Sequence, residues 1–190
     1  MDKYGLIGYP LGHSFSKQFF TEKFAREGID AVYENYEITD ANQLLEIVRN
    51  EENLRGLNCT IPHKQAILPL LDKVSEEARE IGAVNVIRIR RDTPIVLPDG
   101  TQRPLLEGFN SDVIGFKKSI KPLLIPNHHN ALVIGTGGAS RAICFALTKL
   151  GIRWTYVSRR RGEGILAYDD ITPETLRHYE VIVNCSPVGM

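Results

Sequence analysis

The sequence predicts an α/β protein in two parts, and three observations carry that prediction. Short apolar runs alternate with amphipathic stretches along both halves, the mark of strand–helix units. The run Asn58-Cys59-Thr60-Ile61-Pro62-His63-Lys64 ends a strand abruptly and loads the following loop with a hydroxyl, an imidazole and an ammonium. Further on, the apolar run Ala131 to Ile134 enters the glycine-rich Gly135-Thr136-Gly137-Gly138-Ala139-Ser140 and then an apolar helix.

Taken in order, Lys3 to Gly8 reads as a first strand, followed by a turn-rich loop, Tyr9 to Phe15. Ser16 is placed as the N-cap of a helix over Lys17 to Glu27, which Gly28 ends. Phe19, Phe20 and Phe24 share one face of it at helical spacing. Ala31 to Ile38 is a second strand, and Asp40 caps a helix running to about Arg49. A third strand covers Leu54 to Thr60 and stops at Pro62, because proline fixes its own φ and holds the preceding residue extended. A helix follows over Glu76 to Ile81, broken by Gly82-Ala83. Val86 to Arg90 and the region around Leu105 alternate in polarity on either side of Pro98-Asp99-Gly100, an antiparallel excursion with an Asp-Gly turn.

A helix from Ser111 to Leu124 leads to the polar, proline-bounded stretch Pro126 to Asn130. Beyond it come the strand Ala131–Ile134, a helix over Arg141–Leu150, a strand at Trp154–Val157, a helix over Pro173–Tyr179 and a strand at Val181–Cys185. The expected organisation is a substrate-binding and catalytic domain over 1–112, a connecting helix and linker over 113–130, and a partial dinucleotide-binding, Rossmann-type domain over 131–190.

Composition narrows the function classes. The 190 residues hold 43% hydrophobic and 24% charged residues, ordinary for a globular protein. Twenty-three basic residues balance 23 acidic ones, which argues against nucleic-acid or membrane-surface binding driven by net charge. No apolar run approaches the roughly 18 residues of a membrane span. Met1 leads almost directly into a strand, so no signal peptide is expected. Cys59, Cys144 and Cys185 are scattered in apolar contexts, which suggests free thiols in a reducing, cytoplasmic setting. The histidines show no metal-ligand spacing, and no metal is expected.

The glycine loop carries the first functional expectation. Gly135 permits a tight turn, Gly137 lets a pyrophosphate approach the backbone, and Gly138-Ala139 open a helix whose free N–H groups favour an anion. Ser140 stands where a third small residue is expected. An NAD site would place an acid about 20 residues past the glycines to bind the ribose hydroxyl. Here that strand runs into Ser158-Arg159-Arg160-Arg161, and guanidinium forks suit a 2′-phosphate, so the expected cofactor is NADP. Three arginines in a row would otherwise be a solvated charged turn.

In the first half, Ser14 and Ser16 at a helix start suit a small anion such as a carboxylate, or Ser16 is simply a cap. Lys64 and Asp112 form the candidate acid–base pair. A carboxylate neighbour favours the ammonium, which can give a proton to oxygen as hydride reaches carbon in a ketone. A structural salt bridge is the plain alternative. His63 could orient Lys64 or pack the loop, and His13 could support the serine loop.

Together these residues resemble the shikimate dehydrogenase family. The resemblance rests on Gly8 to Ser16, Asn58 to Lys64, Gly82 to Asn85, Gly108 to Asp112, Gly135 to Ala139 and Asn184 to Met190, six motifs in the family's order. It implies NADPH-dependent reversible reduction of 3-dehydroshikimate to shikimate, in aromatic amino-acid biosynthesis. By resemblance Ser14 and Ser16 hold the substrate carboxylate. Thr60, Asn85 and Asp112 bind ring hydroxyls, Lys64 and Asp112 stand at the reacting oxygen, and Ser186 and Met190 join the cofactor contacts. The expected partners are small molecules, with the chain a monomer or homodimer.

Several positions depart from the family pattern: Lys17 stands where proline is common, Ser111 where threonine is usual. The short stretch from Arg161 to Pro173 leaves no room for a helix common there. The family pattern also continues past Met190 with further strands and helices. Two alternatives therefore stand beside the enzyme: a fragment that binds substrate or nucleotide without turnover, and a shikimate/quinate dehydrogenase of broader specificity. A tetrahydrofolate dehydrogenase shares the two-domain layout, and the Ser14/Ser16 loop argues against it.

Overall fold

The computed structural model describes residues 1–12, 14–186, 188 and 189. It forms two compact units, Met1–Asn110 and Ser111–Met190.

The first unit is built from β1 (Asp2–Gly8), α1 (Ser16–Glu27), β2 (Ala31–Glu37), α2 (Gln43–Asn50), β3 (Leu54–Cys59), β4 (Lys73–Val74), α3 (Glu76–Ile81), β5 (Val86–Val96) and β6 (Gln102–Phe109). One mixed sheet runs β2-β1-β3-β5-β6-β4. β1 pairs parallel with both β2 and β3, while β5 runs antiparallel to β3 and to β6. Both faces are buried, as parallel strands with helical crossovers require. On one face Ile7, Leu57, Cys59, Ile87 and Leu106 pack with Leu44 and Val48 of α2 and Ala78 of α3. A second cluster joins Leu6 and Tyr33 to Phe24 and Phe20 of α1.

Local chemistry explains the helix ends and corrects two expected caps. Gly28 (φ 65°) and Gly82 (φ 69°) adopt the left-handed conformation that ends α1 and α3. Ser75 caps α3, its hydroxyl accepting from the Ala78 N–H at 3.2 Å. Ser16, by contrast, is not a cap: Phe15 holds that position without a side-chain bond, and Ser16 is the first helical residue. Asp40 sits ahead of α2 and accepts from the Asn42 N–H at 2.9 Å, so the helix opens at Gln43, later than the sequence suggests. The β5–β6 hairpin is longer than its alternating cores, and Gly100 (φ 83°) supplies its turn.

The second unit contains α4 (Asp112–Ile120), β7 (Asn130–Ile134), α5 (Gly138–Lys149), β8 (Arg153–Ser158), β9 (Ile165–Ala167), α6 (Pro173–Leu176) and β10 (Val181–Asn184). Its sheet, β10-β7-β8-β9, is parallel throughout. In chain order that is 4-1-2-3, the first four strands of a dinucleotide-binding sheet. Phe116, Ile120 and Leu124 pack on a core of Ala131, Val133, Cys144, Leu147 and Ile152. β8 reaches β9 through 159–164 with no helix between them. β9 escapes a sequence reading because three apolar residues display no period. The α6 helix is one turn, Pro173–Leu176, shorter than expected, with Thr172 as its cap.

Candidate active site

Strand direction brings the first unit's candidate residues to one sheet edge. The C-terminal ends of β1 and β3, the start of β5 and the end of β6 all lie at that edge, because β5 reverses β3 and β6 reverses β5. The order β2-β1-β3 makes β1/β3 a topological switch point, where open α/β sheets bind ligands. Ser14 and Ser16 follow β1, Thr60 and Lys64 follow β3, Asn85 immediately precedes β5, and Asn110 follows β6.

Backbone bonds stitch these segments together. Thr60 N–H donates to Ile7 O at 2.9 Å, and Tyr9 N–H to Ile61 O at 3.0 Å. A Cβ on Gly8 would meet the Thr60 methyl at 2.5 Å, so only glycine allows the two loops to approach this closely. Val84 N–H donates to Lys64 O at 2.7 Å, Cys59 N–H to Asn85 O at 2.9 Å, and Asn85 N–H to Phe109 O at 3.0 Å. The peptide bonds before Pro10 and Pro62 are cis. The backbones under Thr60, Lys64 and Asn85 are thereby fixed before any ligand arrives.

The side chains divide by role. His63 is 3% exposed, and its Nε2 lies 2.7 Å from Ile38 O, so its ring fastens the loop to the end of β2. Asn110 is buried and donates from Nδ2 to Ala83 O at 3.0 Å. Ser14 Oγ accepts from Ser16 N–H at 3.3 Å, a local turn that sets the two hydroxyls in sequence at the helix start. Burial pushes the Cys59 thiol up to about 12, with the Lys64 charge acting in the opposite sense. That thiol is an inert part of the floor. Asp112 is the first residue of α4, in the second unit.

Two polar residues here, Asn58 and Tyr33, escaped the sequence reading. Asn58 accepts at Oδ1 from the Tyr33 hydroxyl at 2.8 Å and reaches Asn85 O with Nδ2 at 3.4 Å. The available signal was a carboxamide between the buried Leu57 and Cys59, since a polar group in such a place needs a partner.

In the second unit the glycine loop lies at the β7/β10 switch point. Gly135 has φ +105°, and a Cβ there would stand 3.1 Å from Cys185 O, so both conformation and space require glycine. Gly137 is the N-cap of α5, and the direction of its missing side chain is open. The first amides of α5, from Gly138 and Ala139 onward, lack intrahelical acceptors, which suits a pyrophosphate. Ser140 is fully buried and donates to Gly137 O at 2.7 Å, which braces the loop. After β10, Asn184 Oδ1 accepts from both the N–H and the hydroxyl of Ser186, at 2.9 and 2.7 Å.

The arginine run resolves unequally. Arg161, the last of the run, is held in an ion pair by Asp170. Arg159 and Arg160 are exposed just past β8 and make no ion pair among the described residues. Two uncommitted guanidiniums beyond the second strand fit a 2′-phosphate. Met190, expected as a cofactor contact, lies outside the described residues, as does His13. Among the described residues no three His, Cys, Asp or Glu side chains gather as a metal site, and no helix is long and apolar enough to cross a membrane.

A polar edge at a β1/β3 switch point, with a glycine-loop nucleotide fold in the same chain, defines a two-unit α/β dehydrogenase. Comparison with known proteins narrows the class. Residues 6–87 match the model of the shikimate dehydrogenase substrate binding domain. The NADP(+) shikimate dehydrogenase of Aquifex aeolicus is 35% identical, over 98% of this chain and 68% of its own length. The crystal structure of shikimate dehydrogenase 1 from Peptoclostridium difficile aligns with a TM-score of 0.81 at 32% identity, over 100% of this chain and 68% of that one. That of the Thermus thermophilus enzyme with NADP(H) and shikimate gives 0.75 at 32% identity, over 98% and 69%. The chain belongs to the NADP-dependent shikimate dehydrogenase family.

Proposed function

We propose that this chain binds shikimate at the edge of its first unit and NADP at the glycine loop of its second, and reversibly reduces 3-dehydroshikimate to shikimate. The observation that carries the reading is the convergence of Ser14, Ser16, Thr60, Lys64 and Asn85 on one sheet edge at a switch point. Strand direction alone gathers these residues from separate stretches of sequence.

Each residue has a role suited to its chemistry. Ser14 and Ser16 offer hydroxyls beside the positive end of α1, which suits the substrate carboxylate. Thr60 and Asn85 hydrogen-bond ring hydroxyls. Lys64 gives its proton to the carbonyl oxygen, and Asp112 is the second candidate catalytic residue. The reduced nicotinamide, when bound, supplies the hydride. Gly135, Gly137, Gly138 and Ala139 take the pyrophosphate, Arg159 and Arg160 the 2′-phosphate, and Ser158 and Ser186 line the nucleotide.

The partner class is small molecules, and the compartment is the cytoplasm, in keeping with thiols at Cys59, Cys144 and Cys185 that are free. The test is shikimate-dependent growth of absorbance at the reduced-nicotinamide band with NADP⁺. Turnover with shikimate well above turnover with quinate is expected. Binding of both ligands without turnover would replace the enzyme by a binding protein.

A further inference from the structure

We infer that Tyr33 is a positioning residue for the substrate edge, holding the Asn58 carboxamide in place; the inference rests on the shikimate reading above. Tyr33 stands on β2 and is 3% exposed. Its ring stacks on Phe20 of α1, centroids 4.7 Å apart and planes 12° apart. Phe20 lies one helical turn beyond Ser16, on the same face of α1. The stacked ring therefore holds the phenol oxygen beside the first turn of α1. On its other side the phenol donates to Asn58 Oδ1 at 2.8 Å.

A phenol has one proton to donate, and here Asn58 receives it. That bond anchors the Oδ1 end of the Asn58 amide. Nδ2 turns to Asn85 O, a long contact at 3.4 Å. A flipped carboxamide would set oxygen against that carbonyl, which can only accept. The carbonyl thus sets the amide's sense, and the shorter bond to the phenol holds the amide in place. One of the two Nδ2 hydrogens engages Asn85 O, and the other is left for a ligand oxygen. Burial pushes the phenol up to about 12, so it remains a neutral donor across the working range. Packing alone does not explain the hydroxyl, because phenylalanine would fill the same space between Phe20 and Leu6. The tyrosine converts an apolar core contact into a polar strut that reaches Asn58 on β3.

Calorimetric titration with shikimate tests this, using Tyr33→Phe, Asn58→Ala, their double mutant and Ser14→Ala, with NADP⁺ titration and thermal melting as controls. Tyr33→Phe should weaken shikimate binding by about tenfold, the size of one oriented hydrogen bond. NADP⁺ binding and the melting midpoint should stay near those of the unsubstituted protein. In the Asn58→Ala background the same change should have little further effect, because coupled residues are not additive. Unchanged shikimate affinity in Tyr33→Phe, or full additivity in the double mutant, overturns the inference. If Tyr33→Phe fails to fold, the side-chain amide resonance of Asn58 in the unsubstituted protein decides: shikimate must shift it, and an unmoved resonance overturns the inference. Ser14→Ala separates the two levels. A loss there with none in Tyr33→Phe removes Tyr33 alone, whereas an unsubstituted chain that takes up no shikimate removes the functional reading itself.

Discussion

The two ligand edges are built from different materials. In the first unit the candidate groups are side chains: Ser14, Ser16, Thr60, Lys64 and Asn85, each on a backbone fixed by local or cross-strand bonds. In the second unit the candidate groups are mostly backbone, with Gly135 turning, Gly137 leaving space and the first amides of α5 unpaired within the helix. The first edge can recognise one small molecule by its pattern of hydroxyls and carboxylate. The second suits what every dinucleotide shares, and in the proposed function Arg159 and Arg160 at its periphery distinguish one cofactor from another. On the function proposed, specificity resides in wired side chains on one unit and in two exposed guanidiniums on the other.

The largest break in this comparison should come from Lys64→Ala. If Lys64 supplies the proton, its loss removes an interaction made in the transition state, and kcat should fall by about 10²–10⁴-fold with KM comparatively steady. Steady-state kinetics check it, and a rise in KM alone would make Lys64 a binding residue. Asp112→Asn should also slow turnover, with the double mutant losing less than the product of the two.

A smaller effect is expected at the second edge. Changing Arg159 and Arg160 together to Gln should weaken NADPH by roughly 1.5–3 kcal/mol, the worth of hydrogen bonds to a charged group. NADH binding should barely move. Fluorescence titration of the two cofactors measures the difference, and an equal loss for both would make the arginines a general basic surface.

Gly135→Ala probes the backbone side of the comparison. The new Cβ would sit 3.1 Å from Cys185 O at φ +105°, and strain of about 1–3 kcal/mol is expected. A lowered melting midpoint of the second unit, together with weaker NADPH binding, would register it. A melt like that of the unsubstituted protein would mean the loop relaxes without cost.

The thiols sharpen the contrast most gently. Each unit has a cysteine at the end of a strand that reaches its ligand edge, Cys59 on β3 and Cys185 just past β10. Burial pushes Cys59 up to about 12 and Cys185 up to about 11. Both are neutral thiols at neutral pH, so alkylation should quicken about tenfold per pH unit as the thiolate fraction grows. Cys185 is partly exposed and should label first, with NADPH protecting it and shikimate leaving it unaffected. Mass spectrometry of iodoacetamide adducts reads the order, and faster labelling of Cys59 would contradict the burial described for β3.

Much of this contrast was legible in the sequence because its signals are local. Pro62 announced the end of β3, Gly28 and Gly82 their helix ends, and Gly135 to Ala139 a phosphate loop. Signals that depend on a partner distant in sequence were not legible. Ser16 read as a cap because serine at a helix start usually is one, but Phe15 occupies the cap position and Ser14 supplies the local bond. Arg161 read like its neighbours until Asp170, brought near by β9, took it. Tyr33 and Asn58 lie in different strands separated by β1, and only the sheet order makes them partners.

The central claim, one ligand per unit, is tested most directly by a crossed titration. Shikimate and NADPH are each titrated into the unsubstituted chain, a Ser14→Ala/Ser16→Ala double mutant and the Arg159/Arg160 double mutant. The account predicts that the serine variant loses shikimate and keeps NADPH, while the arginine variant does the reverse, with circular dichroism unchanged in both. Shikimate bound by the serine variant as tightly as by the unsubstituted chain, or both ligands lost together in either variant, would contradict it.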